Sequence, residues 1–201
     1  MKYLSFISKS PPPLALRKAG NEVSVEILWR NGYNVSLRRT DPGEMGERQE
    51  WRMNFEPIGI VKSAATEPVD QNWGDLVSEI HLTEPLTPGL RGLEQFSHLI
   101  VLFCMHQATF DPATDLVRRP RGRHDMPELG IFAQRAKHRP NPIGITAVER
   151  IAITGNVLKI KGLDAIDGTP VLDLKPYVPI FDRIDGAVIP AWMKRLMEGY
   201  F

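Results

Sequence analysis

The 201-residue chain has 42% hydrophobic and 24% charged residues and a net charge of +1 at neutral pH. That balance supports a buried core in one domain, or one domain with an appendage, and argues against both a disordered chain and a uniformly basic nucleic-acid coat. No apolar run approaches the roughly 18 residues of a membrane helix, and the lone Cys104 excludes an intramolecular disulfide, so a reducing cytoplasm fits best.

Residues 1–52 are expected to form an N-terminal appendage. The opening segment is cut by Lys9 and Pro11-Pro12-Pro13, leaving too short an apolar core for a secretory signal. Its Lys2, Lys9, Arg17 and Lys18, without an acid, weakly resemble an organelle transit peptide. Alternating Val23, Val25 and Ile27 lead to Asn31-Gly32 and on to Val35 and Leu37, which predicts a hairpin. A polar, glycine-containing linker then runs to residue 52.

From residue 53 the pattern changes to short strand-like runs punctuated by turn residues. They span Phe55–Lys62, Val77–Leu82, His98–Cys104, Gly130–Phe132, Gly144–Ile153, Val157–Lys161 and Pro170–Leu174. This spacing predicts a mainly β domain over residues 53–201, an all-β barrel or sandwich with few short helices. Thr154-Gly155-Asn156 reads as a hairpin turn. Arg91–His98 suggests a helical turn, and Ala191–Glu198 a short amphipathic helix with Trp192, Met193 and Leu196 on one side.

Dinucleotide, Walker A, C-x-x-C and H-E-x-x-H signatures are absent, and His81, His98, His106, His124 and His138 are dispersed. No metal site is expected; a contact between His98 and His106 would be structural. Three other stretches carry chemistry. Gly130–Ile145 places Arg135, Lys137, His138 and Arg139 before Pro140-Asn141-Pro142, where each proline restrains itself and the residue before it. Such a stiff cationic loop is suited to an anionic ligand, since little ordering is needed on binding, though a solvated turn has the same composition. Residues 115–139 hold seven Lys or Arg against three acids, a local basic patch that includes Arg118, Arg119, Arg121 and Arg123. In Leu163–Tyr177, Asp167-Gly168 has turn chemistry, and Asp173 and Lys175 share one strand face, with Tyr177 beside them if the strand continues. Finally, the apolar run Leu99–Met105 ends in His106-Gln107, polar groups at a strand end where ligand contacts are commonly placed.

The combination FSHLIVLFCMHQ, GIFAQRAKHRPNPIGI and LDAIDGTPVLDLKPY, with the W-G segment DQNWGDLVSEI that starts at Asp70, closely resembles the TsaA/TrmO family. The likeness runs from about Phe55 to about Tyr177. It implies a β-barrel, S-adenosylmethionine-dependent tRNA methyltransferase that acts as a homodimer on N6 of threonylcarbamoyladenosine, next to the anticodon of threonine tRNA. The implied cofactor pocket falls on His106, Gln107, Arg135, Ile145 and Leu163, Asp164, Ala165 and Ile166. On this reading Arg118, Arg119, Arg121, Arg123, Lys137, Arg139, Asn141, Lys175 and Tyr177 face the tRNA. Asp167 and Asp173 are the candidate proton acceptors, although methyl transfer from a sulfonium asks mainly for alignment. Where the family usually reads A-T-R-S-P, this chain has Ala133-Gln134-Arg135-Ala136-Lys137, a loss of two hydroxyls expected to alter substrate contacts. Methyl transfer to another small-molecule or RNA substrate, and a non-catalytic cofactor- or RNA-binding module, stand as alternatives.

Overall fold

The protein is described here by a computed structural model that covers residues 55–68 and 71–201 in full and, before them, the backbone of three strands. The triple proline, the Asn31-Gly32 turn, the linker to residue 52 and Asp70 lie outside the described residues. The chain divides into two compact units, Met1–Glu56 and Pro57–Phe201.

In the first unit β1 (Ala15–Ala19), β2 (Glu22–Leu28) and β3 (Asn34–Arg39) form an antiparallel sheet in chain order. The β2–β3 register sets Val25 opposite Leu37 and Ile27 opposite Val35. Strand β1 carries the mixed sequence ALRKA, which gives no period-two signal.

The second unit is built on a closed antiparallel barrel. Its strands are β4 (Gly59–Lys62), β5 (Val77–Leu82), β6 (His98–Cys104), β9 (Ile143–Thr154), β10 (Val157–Lys161) and β11 (Pro170–Pro176). They close in the order β10-β5-β4-β11-β6-β9, and β7 (Val117–Arg118) pairs separately with β8 (Leu129–Gly130). Alternation along each strand fills the interior: Val61, Ile80, Leu99, Val101, Phe103, Val148, Leu158, Ile160 and Val171 are buried in one cluster. Closure leaves this sheet no open edge. The β9–β10 hairpin turns at Gly155-Asn156, with Gly155 at φ +58°, a conformation glycine adopts without Cβ strain.

Of the expected strand over Gly130–Phe132 only Gly130 is formed, as the last residue of β8. Its ladder partner, β7, is two residues long, so after Gly130 the chain turns into a 3-10 segment, Ile131–Ala133, that buries Ile131 and exposes Phe132. The helical turn before β6 is confined to a 3-10 segment at Leu93–Gln95, after another at Glu84–Leu90. Helices are short: α1 (Pro112–Asp115), α2 (Pro179–Asp182) and α3 (Ala191–Leu196). Helix α3 buries Leu196 and half-buries Trp192 and Met193. Among the described residues no helix is long and apolar enough to cross a membrane.

Candidate active site

The topology gathers chemistry at one end of the barrel, where β4, β6 and β10 finish and β5, β9 and β11 begin. Strand β6 exits there through Met105, His106 and Gln107, the last two exposed. The proline loop is tied to that exit by Met105 N–H, which donates to the Pro142 carbonyl (2.7 Å), and is closed on itself by Ile143 N–H donating to the Asn141 carbonyl (2.8 Å). His138 Nδ1 donates to the Thr109 carbonyl (2.7 Å), which fixes its tautomer. Covalent restraint by Pro140 and Pro142 is thus backed by hydrogen bonds from both flanks.

Strand β9 pairs with β10 only from Glu149 onward, so its first half runs on past the end of β10. Arg135 reaches this half and donates from Nη2 to the Ile145 carbonyl (2.7 Å). Ile143 and Ile145 point outward and are about half exposed. Thr146, facing inward, donates its hydroxyl to Asp164 Oδ1, while the Tyr200 hydroxyl donates to Asp164 Oδ2 (2.7 Å). Leu163, Ala165 and Ile166 are buried, so Asp164 is the polar side chain that this stretch presents.

His106, Gln107, Arg135, Ile145 and the 163–166 stretch therefore lie at the same barrel end. Together they offer a cation, a carboxylate held through both oxygens and exposed apolar shoulders. This donor set fits S-adenosylmethionine: a guanidinium for its carboxylate, a carboxylate for its ribose or ammonium, and aliphatic surface for the adenine.

The two candidate proton acceptors stand on different walls of the barrel. Asp167 sits in the turn before β11, accepts from Ser63 N–H (3.1 Å) and lies 4.0 Å from Lys62. With Lys62, Ser63, Glu79 and Lys159 it lines an open depression of about 460 Å³ on the β4–β5–β10 wall. Asp173 is on another wall, paired with Lys175 at 2.7 Å. Lys175 and Tyr177 lie towards the opposite barrel end, since Lys175 is in register with Ile100 and Tyr177 N–H donates to the His98 carbonyl. His98 and His106, at opposite ends of β6, do not meet.

The basic run is already engaged internally. Arg118 pairs with Asp115 (3.3 Å), Arg119 donates from Nη1 to the Met126 carbonyl, and Arg123 forms a two-pronged pair with Asp125 (2.9 and 2.7 Å). The Arg121 guanidinium lies over the Tyr200 ring, 5.4 Å from its centroid. Lys137 and Asn141 are exposed, and Arg139 is half-buried with a long 3.4 Å contact to the Gln134 carbonyl.

A family model for the tRNA-methyltransferase O N-terminal domain matches residues 61–183. The chain belongs to this family. A probable S-adenosyl-L-methionine-binding protein of Pyrococcus abyssi is 37% identical over 146 residues, covering 70% of this chain and 76% of that protein. The tRNA (adenine(37)-N6)-methyltransferase of Escherichia coli is 39% identical over 144 residues, covering 66% of this chain and 61% of the enzyme. The crystal structure of TrmO from Pseudomonas aeruginosa matches with TM-score 0.56 and 34% identity, over 68% of this chain and 61% of that one. The chain thus spans less than two thirds of these last two proteins. The family resemblance and barrel expected from the sequence are borne out.

Against the TrmO-family pattern, Gln134 in place of a threonine proves to be structural. It is buried, and its Nε2 donates to the carbonyls of Arg118 (2.8 Å) and Leu129 (2.9 Å), tying β7 and β8 beneath the loop. The contribution of Tyr200, seventeen residues beyond the family match, was not legible: an isolated tyrosine near the chain end carries no motif.

Proposed function

We propose that this chain is an S-adenosylmethionine-dependent methyltransferase acting on N6 of threonylcarbamoyladenosine at position 37 of threonine tRNA, in the cytoplasm. The observation that carries the reading is the convergence of Arg135, Ile145 and the doubly held Asp164 at one barrel end, beside a proline-stiffened cationic loop. His106, Gln107 and the Leu163–Ile166 main chain complete the pocket that would hold the cofactor. When bound, the cofactor supplies an electrophilic methyl group on a sulfonium. The protein's own task is then to dock an anticodon loop, turn one base towards that pocket and exclude water, which is catalysis by alignment. Lys137, Arg139 and Asn141, with Arg119 and Arg121 of the basic run, contact phosphates, which add salt-dependent affinity but no sequence choice, while Arg118 and Arg123 are paired with Asp115 and Asp125. Asp167 and Asp173, each beside a lysine, are the candidate carboxylates to take the proton that N6 loses on methylation, Asp167 from the same barrel end as the pocket.

The reading includes a homodimer. Ile180, Phe181, Ile184 and Val188 are each at least 71% exposed just after the barrel, and apolar surface of this kind favours self-association. Residues 53–201 carry the activity, so expressed alone they should fold and bind the cofactor; an unfolded product would contradict that division. Mass spectrometry of tRNA nucleosides from a deletion strain tests the substrate: methylated threonylcarbamoyladenosine should disappear, and its persistence sinks the assignment. Calorimetric titration with S-adenosylmethionine tests the cofactor. Binding in a protein whose deletion leaves that nucleoside unchanged would favour another substrate.

A further inference from the structure

The last residues of the chain fold back onto the cofactor end of the barrel. Asn72 N–H donates to the Gly199 carbonyl and Trp73 N–H to the Tyr200 carbonyl, both at 2.9 Å. Gly74 packs so closely that a Cβ there would lie 2.7 Å from the backbone carbon of Phe201. Main-chain contacts therefore set where Tyr200 stands.

From that place Tyr200 touches both halves of the site. Its hydroxyl holds one oxygen of Asp164 while Thr146 holds the other. One donor on each oxygen fixes the plane of a carboxylate that would otherwise rotate. Its ring lies under the guanidinium of Arg121, in the middle of the basic run. Arg121 has φ +51°, a left-handed conformation uncommon for a residue with a Cβ, so its placement is a feature the local structure must hold. A cation over an aromatic face supplies such a hold.

We propose that Tyr200 is a positioning residue for both ligands: through its hydroxyl it orients Asp164 towards the cofactor, and through its ring it presents Arg121 to RNA. The proposal rests on the cofactor and tRNA reading above. It assigns a role to a residue outside the segment matched by the family model. The two functions of one side chain are separable, because phenylalanine keeps the ring and loses the hydroxyl, whereas leucine loses both.

The test uses the full chain. Calorimetry gives the dissociation constant for S-adenosylmethionine, and fluorescence anisotropy that for an unmodified threonine-tRNA anticodon stem-loop. Tyr200→Phe should weaken cofactor binding about tenfold or more, as expected for one hydrogen bond to a charged group, and leave RNA affinity within about twofold. Tyr200→Leu should weaken the cofactor at least as much and also weaken RNA about threefold or more. Cofactor affinity unchanged in Tyr200→Phe, or RNA affinity unchanged in Tyr200→Leu, overturns the proposal. A lowered Tm with both affinities intact reduces Tyr200 to a tail anchor and overturns it equally. Should the unsubstituted protein itself fail to bind S-adenosylmethionine, the underlying functional reading fails instead, which the wild-type titration reveals separately.

Discussion

Gly144 on β9 stands directly opposite Phe103 on β6, and a Cβ at Gly144 would lie 2.3 Å from the Phe103 ring. Phe103 is 3% exposed and packed among the barrel core, so the ring has nowhere to withdraw. The glycine is what lets a full aromatic side chain fill the barrel at the end where β6 exits. Gly144→Ala should therefore cost about 1–3 kcal/mol by overpacking. Urea denaturation would read this as a lower midpoint with an unchanged slope. Adding Phe103→Leu should make the pair less destabilising than the sum of the two single changes, because they share one contact.

A second prediction concerns Gln134. Its amide nitrogen serves two main-chain carbonyls at once, so Gln134→Ala leaves two acceptors without that donor. The expected loss is about 2–3 kcal/mol. Hydrogen exchange should show faster exchange first at Val117–Leu129 and the following loop, with the barrel strands protected. Uniform loss of protection across β6 and β9 would show that the β7–β8 ribbon is not a separate unit of stability.

The barrel was legible because its strands alternate cleanly: in HLIVLFC every second residue from Leu99 faces the core, and the predicted limits of β5, β6 and β10 match those observed. Short elements were not, since β7 and β8 exist through pairing and through Gln134, neither of which leaves a periodic signal. Arg135, Ile145 and Asp164 could be named from a motif; in the fold Arg135 bonds the Ile145 carbonyl and Asp164 the hydroxyl of the adjacent Thr146. Lys175 and Tyr177 carried the right residue types, but the direction of β11 takes them towards the other end. Composition also overstated the free positive charge, because sequence cannot show that Arg118 and Arg123 spend theirs on neighbouring carboxylates.

That internal use makes a third prediction. The hydrogen-bonded Arg123 guanidinium holds the Asp125 carboxyl below its ordinary value, and Asp125 in turn raises Arg123. A depressed carboxylate contributes its pairing above the unfolded value and loses it only as pH falls through the lower folded value. At neutral pH the pair is therefore intact and Arg123 is electrostatically neutralised. Asp125→Asn should release one cation, tighten RNA binding and steepen the plot of log affinity against log salt by up to about one. An unchanged slope would mean that Arg123 does not face the nucleic acid.

The fourth prediction separates the two ligands within one loop. Arg135 turns back onto β9 and spends one donor on Ile145, whereas Lys137, two residues on, is exposed to solvent. Arg135→Ala should raise the dissociation constant for S-adenosylmethionine about tenfold, as expected when a charged partner is removed from a carboxylate, and change RNA affinity by less than about twofold. Lys137→Glu should do the reverse, weakening RNA and lowering the salt slope by about one to two while leaving cofactor affinity in place. Titrating both variants with both ligands decides the matter. If the two substitutions act alike on cofactor and RNA, the loop serves a single anion, and the division between a cofactor-facing arginine and a phosphate-facing lysine is wrong.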